Sequence, residues 1–237
     1  MENNLLAFKI WGDFAHYRKI YTTTSPLTYL IPPRTTLSGL VAAIVGLEKN
    51  KYHNSFNTGN SGFGIQISGG QKKKLVIPTN LIDTKTNMYL WDCSKDAKRT
   101  QIPFEYVKNP QYCIYVWMDD QNIYQKLKQM LEKGKTYYTP SLGLSGCLAG
   151  LEYVGETKYE LKDAKNPVSV KTAVDSVKNN IVLEPRLKYG RERMPLVMNE
   201  DRKVLSYGEI IYEVTGQPIK ISSGTYAETT DGNITFI

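Results

Sequence analysis

The sequence predicts an α+β fold: a β-α-β-β-α-β unit with an inserted β-hairpin arm and a small C-terminal β region. Three observations carry that prediction. Four segments alternate apolar and polar residues with a period of two, which is the strand signature. Two further segments place their apolar residues on one helical face, each just after a residue that is able to cap it. Between the second and third strands lies a long excursion of short apolar stretches without helical period.

Taken in order, Leu5–Trp11 reads as the first strand, with Leu6, Phe8 and Ile10 on one face and Lys9 and Trp11 on the other. Phe14 to Pro33 has little periodicity and is expected to drape across the sheet as a loop. Pro32 and Pro33 force an extended approach. Thr35 or Thr36 is then placed to cap a helix from about Thr36 to Leu47, burying Leu37, Leu40, Val41 and Ile44. The polar tract Glu48–Ser61, with His53 in it, reads as a surface loop, and Phe63–Ser68 as the second strand. Residues 70–110 form the arm, with Lys72, Lys73 and Lys74 at its base and Lys95, Lys98 and Arg99 near its tip. Tyr89, Trp91 and Phe104 argue that it is ordered. Tyr112–Met118 is the third strand. Asp119 or Asp120 caps a second helix whose stripe is Ile123, Leu127, Met130 and Leu131, stopping near Gly134. Leu151–Leu161 is the fourth strand. After a polar junction at Lys162–Asn166, short β stretches follow at Val168–Thr172, Ile181–Leu187, Lys203–Ser206, Ile210–Val214 and Pro218–Ile221. The order is the split βαβ pattern of ferredoxin-like and RNA-recognition-motif folds. It divides the chain into a domain over 1–162 and a β-rich extension over 163–237, with the helices on one sheet face and the other face open for a ligand.

The 237 residues carry a net charge of +7, which suits a polyanionic partner, nucleic acid being the commonest. Tyrosine outnumbers phenylalanine 17 to 6, and a ring with a polar tip suits wet interfaces and unpaired bases. Cys93, Cys113 and Cys147 are scattered without a CxxC pair, and His16 and His53 lie far apart, so no structural metal site is expected. The free thiols suit a reducing cytoplasm. The N-terminus lacks the features of a signal peptide, and no apolar run is long enough to span a membrane. The P-loop pattern GxxxxGK[ST] is missing, so nucleotide hydrolysis has no support and no cofactor is expected.

Four places are candidates for contact with a phosphate backbone. In the first, Arg18, Lys19, Arg34 and the helix start at Thr35, Thr36 and Ser38 grip phosphates, Tyr17 or Tyr21 offers a stacking surface, and His16 supports a base. A plain helix cap beside a basic loop reads the same way. The second is the run Pro140–Gly150, where Gly143 and Ser145 allow close backbone approach, as a flexible connector also would. The third is Glu184–Pro195, with Arg186, Lys188, Arg191 and Arg193, equally readable as a solvated turn. The fourth is the arm base at Lys72–Lys74. Catalysis would need His16, Tyr17 and Lys19 as a metal-independent RNA-cleaving set, although neighbours on an extended segment point opposite ways.

The stretch FAHYRKIYTTTSPLTYLIPPRTTLSGLVAAIVGL closely resembles the N-terminal signature of the family-five CRISPR-associated proteins, of the repeat-associated (RAMP) superfamily. TPSLGLSGCLAG resembles that family's second recognisable segment, and MPLVMNEDRKVLSYGEIIYEV its C-terminal part in the style of type I-B variants. The resemblance implies a ferredoxin-like domain with a thumb-like hairpin. It also implies a Cascade subunit that holds the five-prime handle of the CRISPR RNA (crRNA) in antiviral defence. Its implied partners are the family-seven backbone subunit, the family-eight large subunit and, indirectly, target DNA. In subtype I-C the family member is itself the endoribonuclease, with a Tyr, Lys and His set. No Lys-His pair occurs in this sequence, which favours the binding role.

Overall fold

A computed structural model describes residues 3–23, 25–70, 72–82 and 99–237. The chain begins with β1 (Asn4–Trp11), the two-residue strands β2 (Phe14–Ala15), β3 (Tyr17–Arg18) and β4 (Thr28–Tyr29), and helix α1 (Arg34–Val45). A short 3-10 turn at His53–Phe56 leads to β5 (Ser61–Ile67), then β6 (Lys73–Ile82), β7 (Arg99–Lys108), β8 (Gln111–Met118), α2 (Gln121–Glu132) and β9 (Gly150–Asp163). The rest is all β: β10 (Val168–Val170), β11 (Val174–Asp175), β12 (Asn180–Val182), β13 (Tyr189–Met198), β14 (Val204–Glu213), β15 (Ile219–Ser223) and β16 (Thr225–Thr229).

The main sheet has the order β16-β9-β1-β8-β5, and all its pairings are antiparallel. Helix α1 links β1 to β5, and α2 links β8 to β9. Leu6, Phe8 and Ile10 of β1 share the main core with Leu37, Leu40, Val41 and Ile44 of α1 and with Ile123, Leu127 and Leu131 of α2. Each such side chain stabilises by about 1.5–3 kcal/mol on burial. Asp120 caps α2, its Oδ1 accepting from the N–H groups of Asn122 and Ile123 at 3.0 and 3.1 Å. Met194, Leu196, Ile210, Tyr212 and Ile237, from the C-terminal region, belong to the same core.

The opposite sheet face is not open along its length. Leu5, Ala7, Cys113 and Tyr115 are covered there by Ala227 and Ile234, and Phe236 packs edge-on against Trp117 and Tyr159. The C-terminal segment fills the face that the sequence pattern left free, because an apolar sheet face must be buried against something. The end around Lys9, Trp11, Gln111 and Glu152 keeps a shallow pocket.

The arm is a two-stranded ribbon, β6 with β7, in the register Lys73↔Lys108 to Ile82↔Arg99. Its expected tip residues Tyr89, Trp91, Cys93, Lys95 and Lys98 lie outside the described residues. The segment 14–33 is more regular than expected. β2 pairs with β7 at the arm's base, and β3 pairs with β4. Tyr189–Met198, whose first half reads as a turn, is a strand paired to β14.

The start of α1 departs from the expectation. Pro33 is the N-cap, with no side-chain cap hydrogen bond, so neither Thr35 nor Thr36 caps the helix. Arg34, the first helical residue, turns inward and is 1% exposed. Its Nε donates to the main-chain oxygen of Ile237 at 3.0 Å, and Nη1 to the Phe56 and Leu196 carbonyls at 2.5 and 3.2 Å. Its Nη2 donates to the carbonyl and Oγ of Ser61 at 2.9 and 2.8 Å. Burial pushes its pKa down to about 10. Ser38, 4% exposed, donates to the Arg34 carbonyl. Neither side chain is available to a phosphate.

Removing the guanidinium would orphan several buried carbonyls at once. Arg34→Met is expected to cost about 3–5 kcal/mol in denaturant unfolding, and Arg34→Lys, which lacks the planar fork, nearly as much. Thr35→Ala should change stability by less than about 0.5 kcal/mol. A change below about 1 kcal/mol for Arg34→Met would contradict this assignment.

Candidate nucleic-acid interface

A groove of about 840 Å³ runs between the outer side of α1 and the glycine-rich segment. Thr35, Thr36, Gly39 and Ala43 form one wall; Thr139, Ser141, Gly143 and Ser145 form the other. Tyr52, His53 and Tyr138 add rings, and Lys49 and Arg202 add cations. The helix end at this groove carries no acidic residue in its first turn. The N–H groups of Thr36 and Leu37 turn back to the Pro33 carbonyl, at 2.9 and 3.1 Å. The positive end of the helix dipole, a row of hydroxyls and two cations therefore border one space, which suits an anionic chain. Gly39 leaves room for a ring: a Cβ there would lie 3.1 Å from the Tyr52 hydroxyl.

The glycine-rich segment is a built loop. Leu142 N–H donates to the Cys147 carbonyl at 2.7 Å, and His16 N–H donates to the Leu142 carbonyl at 3.0 Å. Gly143 has φ +95°, and a Cβ on it would lie 1.9 Å from the His16 carbonyl oxygen. Its glycine is required first by contact with the chain's own backbone. Gly143 and Ser145 remain exposed on the groove side.

The aromatic-basic stretch divides sharply by burial. Tyr17, 2% exposed, packs its ring against Tyr112 inside the core and offers no stacking surface. His16 is also buried. Its Nδ1 lies 2.7 Å from the Glu105 carbonyl, which only accepts, so Nδ1 carries the proton. Its Nε2 is buried with no partner among the described residues, and burial lowers the imidazole pKa. Lys19 donates to both Glu192 carboxylate oxygens at 2.8 and 2.6 Å and lies over the rings of Tyr21 and Tyr29. Burial works to lower its pKa, but the Glu192 and Tyr21 contacts raise it overall. The set His16, Tyr17 and Lys19 is thus locked into the scaffold. The histidine Nε2 and the tyrosine hydroxyl are both enclosed, so neither faces a substrate. Arg18 and Tyr21 do face solvent.

The remaining basic candidates also split. Lys72 is 5% exposed, and Lys74 donates to the Thr28 carbonyl at 2.6 Å and pairs with Glu105. Lys73 is exposed. Arg186 and Lys188 precede β13 and reach solvent, Arg191 pairs with Glu209, and the Arg193 guanidinium stacks 4.6 Å over Tyr207. Sequence reasoning missed Lys49, Tyr52, His53, Tyr138 and Arg202, which come from tracts read as loops and connectors.

Residues 5–212 match the family model described as CRISPR-associated protein (Cas_Cas5). The chain belongs to the Cas5 family. At 12% identity over 98% of both chains, it superposes on a CRISPR protein from Archaeoglobus fulgidus with a TM-score of 0.59. It also superposes on a chain of a CRISPR RNA-guided surveillance complex, with a TM-score of 0.55 at 13% identity over 90% of this chain and 91% of that one. These two likenesses extend to the fold. No curated protein matches the sequence. In this Cas5 chain the stretch from Phe14 to Leu47 serves largely as scaffold: it delivers Arg34, Tyr17 and His16 to the interior and leaves Thr35 and Thr36 on the groove wall.

His16 and His53 are the only histidines, and burial lowers the pKa of each. Unfolded histidine binds a proton near 6.5 and the folded form only at lower pH. Stability is therefore full above pH 6.5 and lost as pH falls through the folded pKa. The thermal midpoint of the wild type should drop between about pH 7.5 and 5.5, and less in His16→Asn. Parallel curves for the two proteins would contradict the buried neutral state.

Proposed function

We propose that this Cas5 chain is the crRNA-binding subunit of a type I interference complex, Cascade, and caps the five-prime handle of the guide in antiviral defence. The observation that carries this reading is the groove, where an uncapped helix end, the hydroxyls of Thr35, Thr36, Ser141 and Ser145, and the cations of Lys49 and Arg202 border one space. Handle phosphates lie along the hydroxyl walls, and Tyr52 and Tyr138 offer faces to bases. Arg18, Tyr21 and Arg193 extend the basic surface outside the groove. The β1-α1-β5-β8-α2-β9 unit is a ferredoxin-like domain of the RAMP type, and residues 163–237 are its C-terminal extension. The assembly is cytoplasmic, and the chain's neighbours in it are the family-seven backbone and family-eight large subunits. Target DNA is met only through the guide. The type I-B style of residues 194–214 fits a complex in which a separate nuclease processes the precursor, so the role here is to bind.

The test is binding of labelled repeat-derived RNA across a salt series. Lys49→Glu with Arg202→Glu should weaken binding and reduce the salt slope by about 1.4, at roughly 0.7 for each single-strand phosphate no longer neutralised. Unchanged affinity and slope would remove the groove from the interface. The same RNA should stay intact in EDTA. Sequence-specific cleavage abolished by His16→Ala would replace the binding role with an endoribonuclease.

A further inference from the structure

The unpaired edge of a β-strand is a template for another strand, and this fold closes its edges in several places. At β5 the Ile65 and Phe63 carbonyls accept from the N–H groups of Ala173 and Ile237, at 2.8 and 3.0 Å. At β16 Ala227 pairs with Ile234 of the returning chain. β14 is different. β13 pairs along one side of it, and β11 pairs on the other side only at Ile210 and Ile211. The Ser176 N–H and hydroxyl both donate to the Glu209 carbonyl, at 2.9 and 3.0 Å, and the chain then turns away with Val177 75% exposed. From Val204 to Gly208 the outer side of β14 pairs with no strand among the described residues. The Glu209 carbonyl points to that side, so by strand alternation the main-chain groups of Tyr207 and Leu205 do too. The stretch has no proline and no charged side chain, the usual means of blocking an edge. Instead Leu205 is 64% exposed and Tyr207 37%.

This edge is complementary to itself. Two copies paired antiparallel about a two-fold axis at Ser206 set Leu205 of each opposite Tyr207 of the other. Such an aliphatic–aromatic pair stabilises an antiparallel ladder. Val204 falls opposite Gly208, so a branched side chain meets a residue that has none. Just beyond each end, Lys203 faces Glu209 of the other copy. Lys203 is exposed and takes part in no ion pair among the described residues. Glu209 meets Arg191 through Oε2. Residues 203, 205, 207 and 209 share one strand face, so the ionic and apolar matches lie side by side. Moving the register by two residues sets Leu205 against Glu209, or Lys203 against Tyr207, and loses both matches.

We infer that the free chain self-associates through β14, two copies joining edge to edge about a two-fold axis at Ser206. The inference is independent of the RNA-binding reading, and RNA is left out of its test. The join runs only from Val204 to Gly208 in each copy, so association is weak and depends on concentration. Light scattering coupled to size exclusion, over a concentration series of the full chain, should show the mass rising from 26.9 kDa towards twice that value. Leu205→Lys sets a cation on the free edge. It should hold the mass at the monomer value throughout the series and leave the unfolding midpoint of the dilute protein unchanged. Lys203→Glu should weaken association several-fold, and Lys203→Glu with Glu209→Lys should restore it. Directly opposed residues of an antiparallel pair lie within disulfide reach. Ser206→Cys, oxidised with copper phenanthroline, should therefore yield a disulfide that joins the two substituted positions, identified by mass spectrometry. A chain that stays monomeric throughout the series and forms no such link overturns the inference. So does a dimer that Leu205→Lys leaves intact.

Discussion

The architecture depends on one buried cation. The guanidinium of Arg34 joins the start of α1 to the turn at Phe56, to Ser61 at the head of β5, to Leu196 in β13 and to Ile237 at the C-terminal end. Among its described acceptors there is no Asp or Glu side chain. The charge is met by main-chain oxygens and the Ser61 hydroxyl, a geometry that the planar, five-donor fork of arginine satisfies. Because the acceptors come from distant parts of the sequence, the C-terminal region cannot separate from the first helix without breaking several buried hydrogen bonds at once. Helix α1 is thereby held with its N-terminus at the groove, and β13 is held with its last residue, Met198, on the groove lining, which Arg202 of the following turn also joins.

A consequence is a division of labour among the basic residues. Lys19, Lys74 and Arg191 are committed to Glu192, Glu105 and Glu209, and act as ties between segments. Lys49, Arg202, Lys73, Lys108 and Arg18 make no ion pair among the described residues and lie on or near the groove and the arm. Lys49 and Arg202 stand beside the rings and hydroxyls of the groove, the combination that suits a single-stranded polyanion.

Much of the frame was legible in the sequence. The alternation in Leu5–Trp11 and Tyr112–Met118, the stripe of Leu37, Leu40, Val41 and Ile44, and the Asp120 cap are local signals, and locally encoded structure follows from them. The errors share a cause, which is long-range pairing. Arg34 beside a helix start has the appearance of a phosphate ligand, and its acceptor at Ile237 is 203 positions away. The first half of β13 reads as a turn because Glu192 faces inward to Lys19, so the apolar alternation of a half-buried strand is absent there. Tyr17 belongs to the aromatic-basic stretch by sequence and to the core by structure. Of the groove, the Thr35–Thr36 wall and the Gly143–Ser145 wall were visible separately. The rings and cations between them come largely from Glu48–Ser61 and the turn near Arg202, where polar composition masks position.

The central claim is that RNA lies on the outside of this frame, over the groove, while the buried side chains of the opening stretch hold the frame together. Photocrosslinking of 4-thiouridine-substituted guide RNA to the protein, with adducts mapped by mass spectrometry, tests it most directly. Adducts are expected on Tyr52, Tyr138 or residues 139–145, and none on Tyr17 or Tyr112. Adducts confined to the opposite sheet face around Trp11, or falling on the buried pair Tyr17 and Tyr112, would contradict it.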